Sequence, residues 1–195
     1  RRDPAVLVPP QHGVDIGVVD IGGGNVMAVT CDPVFVVPQY GWERSAWFAV
    51  HILASDAAVS GLAPRWMTID LNLPLGITKD QFLTLWRAMS AECDKLGIAV
   101  IAGHTARYQG CEYPMVGGAT VMATGPRESY VTPAMAGAGE DVVITKGPAI
   151  EATAFPAAAK GEAAATVTPV ARRKSRRVWV GSDMREGLGR ESGVQ

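Results

Sequence analysis

The spacing of apolar residues changes several times along the chain, and each change predicts an element. Two β-rich runs, 26–30 and 34–37, are separated and bounded by turn residues, which predicts two strands. Apolar residues then recur at helical spacing over 41–61, where we expect a helix. Residues 66–73 alternate between apolar and polar with period two, as a half-buried strand does.

The second half of the pattern begins with the best-marked helix, expected over 78–96. Thr78 followed by Gln81 has the form of a capping box, and Gly97 is a typical stop. Three further strands are predicted, at 98–102, 115–124 and 141–145. This order predicts an α+β domain with helices on one face of a mixed or antiparallel sheet. The other face is then open for a partner.

The composition and charge of the chain indicate a domain boundary. The chain has 195 residues, of which 48% are hydrophobic and 19% charged, which is typical of a globular protein. The net charge of -1 divides into -5 over 1–155 and +4 over 156–195. We therefore expect a domain over 1–155 and a basic tail over 156–195, not a second domain.

Cysteine usage and hydropathy bear on the compartment. The three cysteines are odd in number and have no C-x-x-C spacing, which argues against a disulfide framework and a structural zinc site. No apolar stretch is long enough for a membrane helix, so no membrane partner is expected. These features predict a cytoplasmic protein.

Acidic residues near predicted turns are the first candidates for chemistry. Asp15 and Asp20 lie in a Gly-rich segment, and Asp32 precedes a proline. Carboxylates beside glycine-rich backbone suit magnesium and nucleotide phosphates, but on spacing alone an Asx turn is the favoured interpretation of Asp20 and Asp32. Asp56 is different because it lies within an apolar helical run, where burying a carboxylate is costly unless it is paired or binds metal.

Other candidates are weaker. The segment 102–108 is expected to form a loop after a strand, where His104 could bind metal or phosphate, although a lone histidine is more often structural. Cys111 has no evident neighbouring base to activate it. The glycine pairs and triplets form neither a P-loop nor a dinucleotide fingerprint.

Taken together, several segments resemble in order and spacing the N-terminal half of the aminoimidazole ribonucleotide (AIR) synthase superfamily. That superfamily includes AIR synthase, the hydrogenase-maturation protein HypE, selenophosphate synthetase and thiamine-monophosphate kinase. The segments that carry the resemblance are 30–35, 55–64, 103–105, 116–122 and 145–148. Residues 41–153 are most similar to HypE-type, AIR-synthase-related proteins.

The resemblance implies a PurM-like N-terminal domain that binds ATP with Mg²⁺ and forms a homodimer by joining two sheets into a shared barrel. It also implies ATP-dependent phosphorylation of an oxygen on a small-molecule substrate, as in hydrogenase maturation by HypE. By position, Asp15, Asp32 and Asp56 match the family's metal and nucleotide ligands. His104 and Thr105 occupy the Gly-Asp-Thr motif and complete the expected nucleotide site.

Departures from the family pattern leave a second hypothesis open. Val14 and His104 stand where the family has aspartates, and Ser55 replaces an asparagine. Fewer oxygen ligands should weaken magnesium binding. HypE also uses a C-terminal cysteine, whereas the last cysteine of this sequence is Cys111. The alternative is a non-catalytic dimerisation or scaffold module that keeps the fold without the metal site.

The superfamily's second domain should begin near Ile150, where the sequence instead becomes rich in alanine and arginine. We expect this domain to be absent or cut short, through truncation or a frameshift of the coding sequence. The alternative explanation of the basic segment is an arm that binds an acidic partner. The basic run 172–177 has no interleaved aromatic residues, so nucleic acid is not an expected partner.

Overall fold

A computed structural model describes residues 3–141 and 143. Six strands and two long helices occur in this part of the chain. In order they are β1 (Val6–Val8), β2 (Gly17–Gly22), β3 (Asn25–Phe35), α1 (Trp42–Ala58), β4 (Pro64–Pro74), α2 (Lys79–Lys95), β5 (Ala99–Tyr108) and β6 (Met115–Pro126). Single 3-10 turns lie at Pro38–Tyr40, Arg127–Ser129 and Pro133–Met135.

The strands form one mixed sheet in the order β1-β2-β3-β6-β4-β5. Every neighbouring pair is antiparallel except β4 and β5, which run parallel and are connected through α2. The predicted α+β class and mixed sheet are confirmed.

One face of the sheet carries the core. Along β4, Met67, Ile69 and Leu71 are buried, whereas the alternate residues Trp66 and Asp70 are exposed. Helix α1 packs on β3 and β6, and α2 packs on α1. The two helices therefore cover the face that buries the apolar residues, as the period-two alternation predicts.

The signals at the ends of α2 act as the sequence predicts. The Thr78 backbone N–H donates to Gln81 Oε1 at 2.9 Å, and the Gln81 N–H donates to Thr78 Oγ1 at 3.2 Å. These two bonds satisfy donors that the first helical turn leaves free. Gly97 ends the helix with φ of +69°, a conformation that glycine adopts without steric cost.

The two strands expected at 26–30 and 34–37 are wrong as separate elements, because β3 runs without a break from Asn25 to Phe35. The sequence predicts an Asx turn at Asp32, before Pro33, where the structure has continuous strand. Pairing with β2 ends at Val29, so the second half of β3 has only β6 beside it. A proline is tolerated in a strand that has one open edge.

The sequence patterns do not predict strands β1 and β2. The turn expected at Asp20 follows it, at the glycines after β2. Asp20 is in β2, where its carboxylate accepts from the Gly22 N–H at 2.8 Å and from Arg127 at 2.9 Å. The first contact is the Asx geometry that the sequence offered as an alternative. Asp20 thus closes a hairpin and joins it to the segment after β6.

Strand β5 is longer than predicted, which corrects the position of His104. The expected strand ended at 102, but pairing with β4 continues to Tyr108. His104 and Thr105 therefore lie in a strand and not in a loop. The long β4 supplies hydrogen-bond partners along its whole length, which local sequence does not reveal.

Contacts divide the chain into a first compact unit that ends at Ala136 and a second that begins at Gly137. The expected boundary at 155, the tail over 156–195 and most of the predicted strand at 141–145 lie outside the described residues. Among the helices of the described part, none is long and apolar enough to cross a membrane.

Candidate functional site

Three of the predicted site residues meet where α1 crosses β3. Asp32 lies near the end of β3, Asp56 in the last turn of α1, and Asp15 in the loop before β2. The carboxyl groups of Asp32 and Asp56 lie close enough that protonated Asp56 can donate to Asp32, and the charge of Asp15 acts on Asp56 as well. Packing of α1 against β3 brings these carboxyl groups together from distant positions of the chain.

This proximity changes the acidity of Asp56. Its pKa is raised from 3.8 to about 6, first because burial disfavours the charged carboxylate and second because of the negative charge of Asp32. The charge of Asp15 adds to the effect. Near neutral pH, the cluster therefore has an unbalanced negative charge that a cation would neutralise.

Two hydroxyl groups contact the carboxyl pair. Thr30 Oγ1 donates to Asp32 Oδ2 at 2.8 Å, and the Thr30 side chain is buried. Ser55 Oγ lies 3.3 Å from Asp56 Oδ1 and 2.7 Å from the carbonyl oxygen of Ile52. A serine hydroxyl has one proton, so the shorter contact to Ile52 is the better hydrogen bond.

His104 and Thr105 lie away from the carboxyl groups within the chain. Sheet register aligns Asp32 with Ala119, Ile69 and Gly103, so Asp32 and β5 are separated by three strand spacings. That separation is about 14 Å. Thr105 shares the sheet face of Asp32, whereas His104 projects from the opposite face and contacts Tyr108 Oη at 2.9 Å.

The face of the sheet opposite the helices has a shallow concavity of about 470 Å³. Its lining includes small and polar residues of four strands: Cys31, Thr68, Asp70, Ala102, His104 and Thr120. The edge strand beside it exposes apolar side chains, among them Ile101 at 57% and Tyr108 at 43%. Among residues 3–141, this face is the one on which neither long helix packs, as the sequence predicts.

The AIR synthase related protein N-terminal domain matches residues 13–140, about two thirds of the chain. The chain belongs to this family. No curated protein matches the sequence.

Solved structures share the fold of this AIR synthase related domain. Thiamine-monophosphate kinase from Stenotrophomonas maltophilia K279a is 22% identical, with a TM-score of 0.59 over 81% of this chain and 49% of its own. T. maritima PurL complexed with ATP is 16% identical, with a TM-score of 0.54 over 66% of this chain and 23% of its own. AaThiL complexed with AMPPCP and TMP is 23% identical, with a TM-score of 0.50 over 61% and 38%. The chain spans about half or less of the length of these proteins.

The carboxyl pair of the AIR synthase related domain supplies two carboxylate groups, which are oxygen ligands of the kind that Mg²⁺ binds. Within the described ranges, no three His, Cys, Asp or Glu side chains are grouped so as to hold a metal ion by themselves. Mg²⁺ is commonly held by one or two carboxylates, with phosphate oxygens and water completing the octahedron. Asp32 and Asp56 fit that arrangement.

Sequence reasoning missed two features around the site. The first is Thr30: a threonine two residues before an aspartate on a strand places both on one face.

The second is Glu92, for which the sequence predicts a position on α2 but no hydrogen-bond partners. It accepts from His51 at 3.2 Å and from Lys95 at 2.5 Å, and His51 stacks on Trp47 at 4.1 Å between ring centroids. This cluster joins α2 to the helix that carries Asp56.

Proposed function

We propose that the chain binds ATP with Mg²⁺, and that Asp15, Asp32 and Asp56 form the cation side of the site. The closeness of the Asp32 and Asp56 carboxyl groups, at which the negative charge of Asp32 helps to raise the pKa of Asp56, carries this proposal. Membership of the AIR synthase related family supports it, as does a fold shared with PurL, solved with ATP, and AaThiL, solved with AMPPCP. The divalent cation would neutralise phosphate charge that the carboxylates would otherwise repel.

The reaction we propose for the intact protein is ATP-dependent phosphorylation of a small substrate, of the HypE-like type. The chain spans about half or less of the structures that share its fold. Binding of nucleotide is accordingly the activity that we assign to this chain, with catalysis assigned to the whole protein. Thr105 lies on the same sheet face as Asp32 but three strands away, so we do not include it in the cation side of this site.

A second candidate function is a dimerisation or scaffold module. The open face of the sheet and the exposed apolar residues of β5 favour it. We propose that two copies associate through this face, because an edge strand with free hydrogen-bonding groups readily pairs with another chain. The two functions are compatible, since the carboxyl pair lies on the other face.

We also propose a cytoplasmic location. Cys31, Cys93 and Cys111 are free thiols in the described residues. Thiols that remain unpaired suit a reducing compartment.

The experiment that tests nucleotide binding is calorimetric titration of Mg-ATP into the full chain and two variants. Asp32→Asn keeps the shape of the side chain but removes a cation ligand, and we expect saturable wild-type binding that this variant loses. Asp70→Asn makes the same change in the concavity on the opposite face, and binding should persist. Loss only in Asp70→Asn would move the site to the open face, and no wild-type binding would contradict the proposal.

A further inference from the structure

We propose that Thr30 is a positioning residue that holds the Asp32 carboxylate in the orientation needed to bind the cation. This inference rests on the proposed binding of Mg-ATP. Thr30 precedes Asp32 by two residues on β3, so both side chains project from the face that α1 covers. The hydroxyl donates to Asp32 Oδ2 at 2.8 Å, a distance typical of a hydrogen bond to a carboxylate.

Burying the Thr30 hydroxyl costs folding free energy unless the hydroxyl is hydrogen-bonded. Thr30 is 3% exposed, and its neighbours on the same face of β3 are the fully buried Val26, Ala28 and Val34. Valine has nearly the same shape and would fill this position without a polar group. A threonine at this place therefore indicates that its hydrogen bond matters.

The hydroxyl groups of the two buried serines, Ser45 and Ser60, serve the backbone. Ser45 Oγ donates to the carbonyl of Val37 at 2.6 Å, and Ser60 Oγ donates to the carbonyl of Ala57 at 2.6 Å. Among these buried hydroxyls, Thr30 is distinct because its proton goes to a carboxylate of the proposed site. Its role is thus tied to Asp32 and not to the path of the main chain.

The Thr30 hydroxyl limits the orientations that the Asp32 carboxylate can adopt. A β-branched side chain has few accessible χ1 rotamers, so the direction of its hydroxyl is set by the strand. One oxygen of Asp32 is then held by Thr30, while the carboxyl group also contacts Asp56. A carboxylate held in this way loses less rotational freedom when it binds a cation. Removing the hydrogen-bond partner of a ligating carboxylate typically lowers metal affinity by about 10–100-fold.

Ser55 gives an internal comparison. Its hydroxyl also lies beside a carboxyl group of the pair, but its proton is committed to Ile52 at 2.7 Å and the contact to Asp56 is longer, at 3.3 Å. We therefore expect Ser55→Ala to weaken cation binding less than loss of the Thr30 hydroxyl.

The test measures the affinity of the full chain for ATP with Mg²⁺ and, in EDTA, without it. Thr30→Val removes the hydroxyl and keeps the shape, and we expect about a tenfold loss of Mg-ATP affinity with little change in EDTA. Thr30→Ser keeps the donor without the β-branch and should recover most of the affinity that Thr30→Val loses. Thr84→Val is the matched control, because its hydroxyl donates at 2.9 Å to the carbonyl of Asp80 on α2.

The outcomes separate this inference from the proposed function. If Asp32→Asn abolishes Mg-ATP binding while Thr30→Val binds like the wild type, the role of Thr30 is wrong and the site stands. If the wild type does not bind Mg-ATP, both are wrong. Should Thr30→Val fail to fold, Thr30→Ser and Thr30→Ala are compared, and an equal loss in these two would show that packing, and not the hydroxyl, is what matters.

Discussion

The carboxyl pair at the contact of α1 and β3 stores unfavourable electrostatic energy when both groups are charged. Burial and the negative charge of Asp32 raise the pKa of Asp56 to about 6. Between about pH 4 and pH 6 the folded protein keeps a proton on Asp56 that the unfolded chain has already released. The stability of the metal-free protein must therefore fall as the pH rises through this interval.

Replacing Asp56 by asparagine should remove this pH-dependent loss. We expect Asp56→Asn to be more stable than the wild type at neutral pH by about 1 kcal/mol, after allowing for solvent screening of a half-exposed group. The difference should disappear below about pH 4, where the wild-type carboxyl is protonated in both states. Urea unfolding at several pH values measures it.

The control for this variant is Glu112→Gln, which removes one negative charge from an exposed position. Its stability should follow the wild type at every pH. A neutral-pH stability of Asp56→Asn equal to or below that of the wild type would contradict the electrostatic account of the pair.

At the scale of elements, α1 is held in place partly by a polar cluster on α2. Glu92 is buried with its carboxylate between His51 and Lys95. Burial tends to raise the pKa of Glu92, but the hydrogen bonds from Lys95 and His51 outweigh it, and the pKa lies below its usual value. The cluster thus favours the folded state when Glu92 is ionised, and it fixes the helix that carries Asp56.

Neutralising Glu92 should loosen this contact. We expect Glu92→Gln to lower the free energy of unfolding by about 1–2 kcal/mol at neutral pH, because two charge-assisted hydrogen bonds lose their ionised acceptor. Acidification removes the same contribution from the wild type, so the difference should shrink as the pH falls through the ordinary range of glutamate. Asp94→Asn, exposed on the same helix, is the control and should not be destabilised.

At the scale of the whole molecule, the part of the chain that the structure describes has α1 and α2 on one face of the sheet and neither of them on the other. The open face has the concavity of about 470 Å³, and β5 is exposed along nearly its whole length. An uncovered edge strand is a site where another chain can add its own strand. This asymmetry is the physical basis for the proposed homodimer.

A charge on the edge strand should separate the protomers. We expect the wild type to scatter light as a dimer and Ile101→Asp to scatter as a monomer with unchanged circular dichroism, because Ile101 is 57% exposed and its loss costs no core packing. Met135→Asp introduces the same charge at another exposed apolar residue and should remain dimeric. A monomeric wild type at micromolar concentration would contradict the dimer.

Much of the fold was predictable because it follows from local patterns. The period-two alternation around Met67 and Leu71, the capping box at Thr78 and the stop at Gly97 each depend on residues a few positions apart. Strand ends were harder to predict. Pro33 lies inside β3, and His104 lies inside β5, because the pairing available from a neighbouring strand outweighs local preference.

The sequence by itself determined which residue types could form a site and, through the resemblance of its segments, pointed to the family that the domain match confirms. Only the tertiary structure decided that the carboxyl groups of Asp32 and Asp56 lie close together, that Thr30 donates a hydrogen bond to Asp32, and that His104 faces the other way. The physical reason is that these relations depend on how α1 packs across β3 and on strand register. Both are set by contacts between residues far apart in the chain, which no local spacing records.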